Sequence, residues 1–334
     1  MNVQTDIAIL PCRVPWWITA CFCLLVSSCD SERREAVQLV HTRGVDVTED
    51  ALFEALDRED SDLAEALLTL EVPAACRDSF KRTPLMAAAA SGVVRVISRL
   101  LELGVDIEDK DATGRTALCY AVEENRLEAM ACLLERGAYP GVASGSRGNL
   151  VTEALRQGKQ EAALLLLEAG ASPRSRGADS ETLSRIAVGN GNLMILKELV
   201  RRGIDLKEER GTSEGLLHLA MEKGHDEVLA YLLKCGVDSS ERNEKGESLL
   251  HVAIAASRVE LLPLLIRHGV SIDGHHPEGW TPLQLALLDR NPDLLRLLLD
   301  YGADLDKSAA RKGGGRSALS LAIKNELFAM ARIL

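Results

Sequence analysis

The sequence predicts an all-α fold, a solenoid of stacked helical hairpins with short β-finger turns between them. Three observations predict it. Glycine returns every 33 residues, at Gly104, Gly137, Gly170, Gly203, Gly236, Gly269 and Gly302. Alanine keeps the same interval in an independent series, Ala55, Ala88, Ala121, Ala154, Ala187, Ala220, Ala253 and Ala286. Aromatic residues make up only 3% of the chain, which suits helices packed through Leu and Ala better than sheets built on aromatic strands. One unit, GLLHLAMEKGHDEVLAYLLKCGVD from Gly215 to Asp238, holds two apolar-striped segments split by Gly-His. It is too short to bury a core alone and becomes stable when copies stack against it.

Taken in order, residues 1–28 read as a signal peptide with cleavage before Cys29. Arg13 precedes a nearly uncharged stretch, Val14 to Ser28, that ends in small residues. The 13 residues from Val14 to Val26 fall short of the roughly 20 that a membrane-spanning helix needs. Leu25-Val26-Ser27-Ser28-Cys29 resembles the lipobox of bacterial lipoproteins. That resemblance implies acylation of Cys29 as the mature N-terminus, and Asp30 resembles a signal for retention at the inner membrane. The expected location is the periplasmic side of a bacterial membrane, reached through a lipid anchor, with a soluble secreted protein as the alternative. Beyond the leader, Cys76, Cys119, Cys132 and Cys235 lie at scattered helical positions and read as small core-filling thiols, with Cys119 and Cys132 the one pair close enough to consider.

Residues 29–47 read as an N-terminal capping helix, because Glu35 to Gly44 looks like a lone second helix. The repeats follow from 48 to 334, about eight of them and an incomplete ninth. The first finger is short: Gly44 to Ala55 is 11 residues where the usual interval is 17. Thr83-Pro84-Leu85, Thr281-Pro282-Leu283, Leu217-His218 and Leu250-His251 match the Thr-Pro-Leu-His motif of ankyrin repeats, and Gly137-Ala138, Gly170-Ala171 and Gly302-Ala303-Asp304 match their closing turn. From about residue 35 onward the chain resembles that family. The repeat at Leu183-Ser184 departs from it, with Ser where Leu is expected, and is expected to pack loosely.

Each recurring residue has a physical reason. Thr or Ser before a helix caps its free N–H groups, and Pro at the first helical position loses no bond. Alanine permits close helix approach. Pairs such as Leu232-Leu233, Leu264-Leu265 and Leu298-Leu299 load the second helices with apolar bulk, and the closing Gly adopts the left-handed conformation that ends them. Residues 309–334 begin the ninth repeat after a three-residue insertion in Arg311 to Arg316 and stop inside its second helix. Since a solenoid usually closes on a polar cap, the sequence admits a second reading, the recognition arm of a longer enzyme continuing past Leu334.

No catalytic constellation, cofactor or metal site is expected. His218 and His251 share the slot where the family bonds a neighbouring loop. His268, His275 and His276 lack a Cys or carboxylate at ligand spacing. Glu123 and Glu124 are adjacent on a helix, not at an acid–base spacing. Gly313-Gly314-Gly315 lacks the context of a phosphate loop. The net charge of -11 argues against nucleic acid, and no small-molecule substrate is expected. What remains is a non-catalytic scaffold whose partner is a protein or peptide held on the concave face. The resemblance implies contacts at Phe80, Arg82, Arg115, Glu123, Glu124, Arg156, Gln157, Glu222, Lys223, Trp280 and Asp289. Trp280 stands out because it is the one tryptophan beyond the leader and fills a variable slot before Thr281-Pro282.

Overall fold

The computed structural model describes residues 31–141, 148–176, 181–208, 215–307 and 317–334. Residues 1–28, the expected signal peptide, with Cys29 and the glycine-rich insertion, lie outside these. The chain divides into two compact units, Met1–Gly145 and Ser146–Leu334.

In the first unit, α1 (Ser31–Arg43) stands alone, and three hairpins follow: α2 (Glu49–Asp57) with α3 (Ser61–Thr69), α4 (Pro84–Ser91) with α5 (Val94–Glu102), and α6 (Ala117–Glu123) with α7 (Leu127–Glu135). First helices contact first helices, α2 to α4 to α6, while α1, α3, α5 and α7 form the second row. The outer side of α1 is polar; only its Ala36 and Val40 are buried.

The second unit repeats the scheme six times. Its hairpins are α8 (Leu150–Arg156) with α9 (Gln160–Glu168), α10 (Leu183–Gly189) with α11 (Leu193–Arg201), and α12 (Leu216–Lys223) with α13 (Asp226–Lys234). They continue with α14 (Leu249–Ala255) and α15 (Leu262–Arg267), α16 (Pro282–Leu288) and α17 (Pro292–Asp300), then α18 (Ala318–Lys324) and α19 (Phe328–Ala331). Before α15 the chain makes one 3-10 turn, Val259–Leu261, and Pro263 then sits in the first turn of the helix, where its missing N–H has no partner to lose.

The alanine series is the contact between first helices: all eight alanines are between 0 and 2% exposed. Any larger side chain there would hold the neighbouring helices apart. Thr83 and Thr281 close capping boxes, with Thr281 Oγ1 accepting from Gln284 N at 3.3 Å and Gln284 Oε1 accepting from Thr281 N at 3.0 Å. Of the paired leucines, Leu232, Leu265 and Leu298 are fully buried. Leu264 and Leu299 are half-buried. Ser184, in the repeat expected to pack loosely, is 1% exposed, as covered as the leucines in the same slot. Cys76, Cys119, Cys132 and Cys235 are free thiols, so Cys119 and Cys132 do not pair; their sulfurs lie 3.6 Å from Thr116 Oγ1 and Ser98 Oγ respectively.

A second 33-residue series sits in the turns inside the hairpins. Glu59, Gly92, Asn125, Gly158, Gly191, Gly224, Ser257 and Arg290 all have positive φ, and Glu326 continues the series after the insertion. Only left-handed backbone reverses the chain in so few residues, so the slot takes Gly at four positions and forces a strained residue elsewhere. At Ser257, φ is 57°, a conformation costing about 1 kcal/mol for a residue with a Cβ. The closing slot has its own exception, Glu71 at φ 69° one repeat before Gly104.

Neighbouring hairpins are tied by side chains that reach the open carbonyl ends of first helices. Arg126 Nε donates to Ala90 O at 3.1 Å, Asn190 Nδ2 to Leu155 O at 2.6 Å and Arg258 Nη1 to Met221 O at 2.8 Å, and His225 Nε2 bonds Gly189 O at 3.0 Å. Leu155 O and Met221 O also accept from Gly158 N at 3.0 Å and Gly224 N at 3.2 Å in the turns that follow.

Candidate functional site

The fingers project between the hairpins, and their closure decides what they present. No strand forms among the described residues; an isolated bridge joins Arg176 and Thr182. Each well-defined finger is a tight turn built on one side-chain acceptor. Asp78 Oδ1 accepts from Phe80 N at 2.9 Å, Asp111 Oδ1 from Thr113 N at 2.7 Å, Asn243 Oδ1 from Lys245 N at 3.1 Å and His276 Nδ1 from Glu278 N at 3.2 Å. Three residues on, Lys81, Gly114, Gly246 and Gly279 turn left-handed, and the next carbonyl accepts from the N–H of the first residue of the turn. This is the three-residue turn with a left-handed closing position.

In the first unit the turn residues feed a charged network. Asp111, its side chain 2% exposed, takes Tyr120 Oη–H on Oδ2 at 2.7 Å and Arg115 Nε at 3.1 Å. Arg115 also donates to Glu123 Oε2 at 2.8 Å and Tyr120 Oη at 2.8 Å, its guanidinium lying 4.4 Å from the Tyr120 ring centre. Burial pushes the Asp111 carboxyl upward, but the hydrogen bonds from Arg115, Thr113 and Tyr120 overcome it and hold the group well below its ordinary value. Burial, and then the bond to Asp111, push the Tyr120 phenol up to about 12. One repeat earlier Arg82 makes the same kind of bridge, to Asp78 at 2.7 Å and Asp57 at 3.5 Å.

In the second unit the polarity of the bridge reverses, with Arg156 on the helix and Glu181 on the finger, 3.5 Å apart. Further along, a recess of about 810 Å³ opens between the ends of α12 and α14 and the finger at 243–247. Glu222, Lys223, Asn243, Lys245, Glu247 and Arg258 line its polar rim, and Met221, Val252 and Ala255 its floor.

Among the described residues no group of His, Cys, Asp and Glu is arranged to hold a metal ion, and no helix is long and apolar enough to cross a membrane. Two histidines in the same slot are held through different ring nitrogens. His218 Nε2 bonds Glu247 O at 3.1 Å, the neighbouring-loop contact expected of this slot. His251 Nδ1 lies 2.6 Å from Ser248 Oγ, and its Nε2 faces the Trp280 backbone without a partner at hydrogen-bond distance.

With the hairpins and fingers in view, the comparison with known proteins is direct. Residues 52–144, 150–243, 184–275 and 217–309 match the family model described as ankyrin repeats (3 copies). The chain belongs to the ankyrin repeat family. No curated protein matches it. Ankyrin repeats serve in general as protein-interaction scaffolds without catalytic activity of their own.

The ankyrin contact positions divide into two groups. Arg82, Arg115, Glu123 and Arg156 are engaged in ion pairs within the chain. Gln157 is held by Glu153 at 2.6 Å and by Lys159. Phe80, at 71% exposure on a finger tip, Glu124, Glu222, Lys223 and Asp289 face solvent. Trp280 is half-buried at the closing end of its turn, where its backbone carbonyl accepts from His276 N at 2.6 Å. Glu222 and Lys223 alone of the eleven line the recess. The turn-closing acceptors were not singled out from sequence, although Asp78, Asp111, Asn243 and His276 fall in one 33-residue register.

Proposed function

We propose that this chain is a non-catalytic scaffold that binds a protein or peptide in the groove between its fingers and first helices, and is held at the periplasmic side of a bacterial membrane by a lipid on Cys29. The recess of about 810 Å³ carries the binding reading, because it combines apolar Met221, Val252 and Ala255 with exposed Glu222 and Lys223. A segment with apolar side chains flanked by both charges suits such a lining. The test exchanges the two rim charges, Glu222→Lys with Lys223→Glu, and compares the variant with the parent in pull-downs from the envelope fraction of the source cell. A partner retained by the parent and reduced at least tenfold in the variant is expected, in the range of about 1.4 kcal/mol or more per lost charged contact. Equal retention places the groove elsewhere, and turnover of any substrate by the chain overturns the scaffold reading.

The anchoring reading is supported by the Val26-Ser27-Ser28-Cys29 run alone. Intact-mass analysis of membrane-extracted protein is expected to give a chain beginning at Cys29 with added acyl mass, and Cys29→Ala is expected to leave the membrane fraction. A Cys29→Ala protein that fractionates like the parent sinks it.

A further inference from the structure

The four turn-closing acceptors are equivalent in position but not in chemistry. Asp and Asn oxygens accept a hydrogen bond at every pH between 5 and 8, whereas a histidine nitrogen stops accepting once protonated. His276 is the one histidine among Asp78, Asp111, Asn243 and itself. Its partners assign its neutral form. Glu278 N–H donates to Nδ1 at 3.2 Å, so the ring proton is on Nε2, which reaches Glu247 Oε1 at 3.1 Å. One face of this ring therefore closes its own turn while the other ties the finger to the preceding one.

We propose that the finger from His276 to Trp280 is a proton-operated element: uptake of a proton at His276 Nδ1 releases the Glu278 N–H, loosens a turn then held only by its backbone bonds from His276 N to Trp280 O and from Gly279 N to His276 O, and changes the surroundings of Trp280, while the tie from Nε2 to Glu247 becomes charge-assisted. The proton balance is simple. Nδ1 changes from acceptor to donor, and no other bond is made or broken covalently.

The charges that face His276 come from three elements. On the preceding finger, Glu247 attracts the imidazolium, and Asn243 Nδ2 holds that carboxylate from the other side at 2.9 Å. On the same finger, Arg242 donates to Gly246 O at 2.7 Å and His275 O at 2.9 Å, placing a fixed positive charge beside the histidine backbone, and Lys245 stands near Glu247. From the start of α14, the buried His251 ring meets His276 edge-on, with centroids 5.5 Å apart. Burial, then the His276 and Arg242 charges, depress the His251 ring to about 4, so it stays neutral over the range where the finger responds. Glu278 on the finger itself is exposed. The carboxylate of Glu247 therefore steadies the imidazolium between fingers, while nothing replaces the lost acceptor inside the turn. Glu247 also lines the recess, so the change reaches the wall of the proposed groove, but the test needs no partner.

The reporter is built in. Trp280 is the only tryptophan outside the leader, so the full chain carrying Trp16→Phe and Trp17→Phe reads this finger alone. Emission followed from pH 8 to pH 5 is expected to show a single one-proton transition. Exchange of the Glu278 amide, corrected for its intrinsic pH dependence, is expected to quicken roughly fivefold, the effect of losing one ordinary hydrogen bond. His276→Asn puts in this turn the residue that already closes the turn at Asn243, and His276→Asp puts in the residue used at Asp78 and Asp111. Both are expected to keep the helical circular dichroism of the parent and to show flat emission over the same range. A parent without a transition overturns the proposal. So does a transition that survives in either His276 variant, or one that disappears in His251→Gln while His276→Asn leaves it intact.

Discussion

Asp111→Ala is expected to destabilise the first unit by about 3–5 kcal/mol, the cost of stripping one partner from a buried charged network. The carboxylate serves two masters at once. Its Oδ1 closes the finger turn through Thr113 and Arg115 N–H groups, and its Oδ2 orders Tyr120 and the Arg115 side chain against α6. Alanine leaves the turn without its side-chain acceptor and Tyr120, 8% exposed, without the carboxylate it donates to. Urea titration of the full chain, with amide exchange in α6 and α7 to assign the loss to this unit, measures the effect. Asp111→Asn keeps an oxygen for the turn and is expected to lose less. The pH dependence has a definite sign. Because folding holds this carboxyl well below its ordinary value, its contribution is complete above the unfolded value of about 4 and is lost as pH falls below that. The stability gap between parent and Asp111→Ala is therefore expected to be level from pH 5 to 8 and to close in acid.

Leu232→Ala is expected to cost about 2–5 kcal/mol, as a large-to-small change at a site with no exposed surface. Leu232 sits in α13, which packs on both its own hairpin partner α12 and the preceding second helix α11, so the cavity weakens two contacts at once. Leu334→Ala, at the half-buried end of the last hairpin, is expected to change the urea midpoint little. In a stack where each hairpin meets only its neighbours, damage in the middle uncouples more than damage at an end. Equal losses from the two variants would indicate that stability is shared through one common core.

The stacking was legible because two of its requirements strongly favour one residue type. Only alanine fits where first helices touch, and glycine is the easiest residue for the closing left-handed turn, so both print a period directly on the sequence. The inner turn was harder to read, since Gly92, Gly158, Gly191 and Gly224 alternate with Asn125, Ser257 and Arg290, whose φ values of 54°, 57° and 54° the surrounding helices impose. The finger acceptors were harder still. Asp78, Asp111, Asn243 and His276 share a lone pair, not an identity, and a search for repeated letters passes over them. The same gap separates expected contact residues from observed ones. Arg82 and Arg115 stand at surface positions by register, yet whether a surface arginine is open to a partner depends on what the fold brings alongside. Asp57, which pairs with Arg82, is 25 residues away in sequence and arrives only when α2 stacks on α4.

The left-handed slot inside the hairpins keeps its 33-residue step from Glu59 to Arg290 without a slip, while both irregular intervals, the short one between Gly44 and Ala55 and the 36 residues from Arg290 to Glu326, fall on the finger side. The two edges of the hairpins therefore tolerate change very differently. A residue inserted in an inner turn displaces the strained position and moves Arg126, Asn190, His225 or Arg258 away from the carbonyl it must reach, so it is felt in two neighbouring hairpins. A residue inserted in a finger strains ties to the neighbouring finger, such as those from Arg242 to His275 O and from His276 to Glu247, but leaves the carbonyl ends of the first helices engaged. New binding surface can be tried on that edge, length included, without renegotiating the stack that carries it.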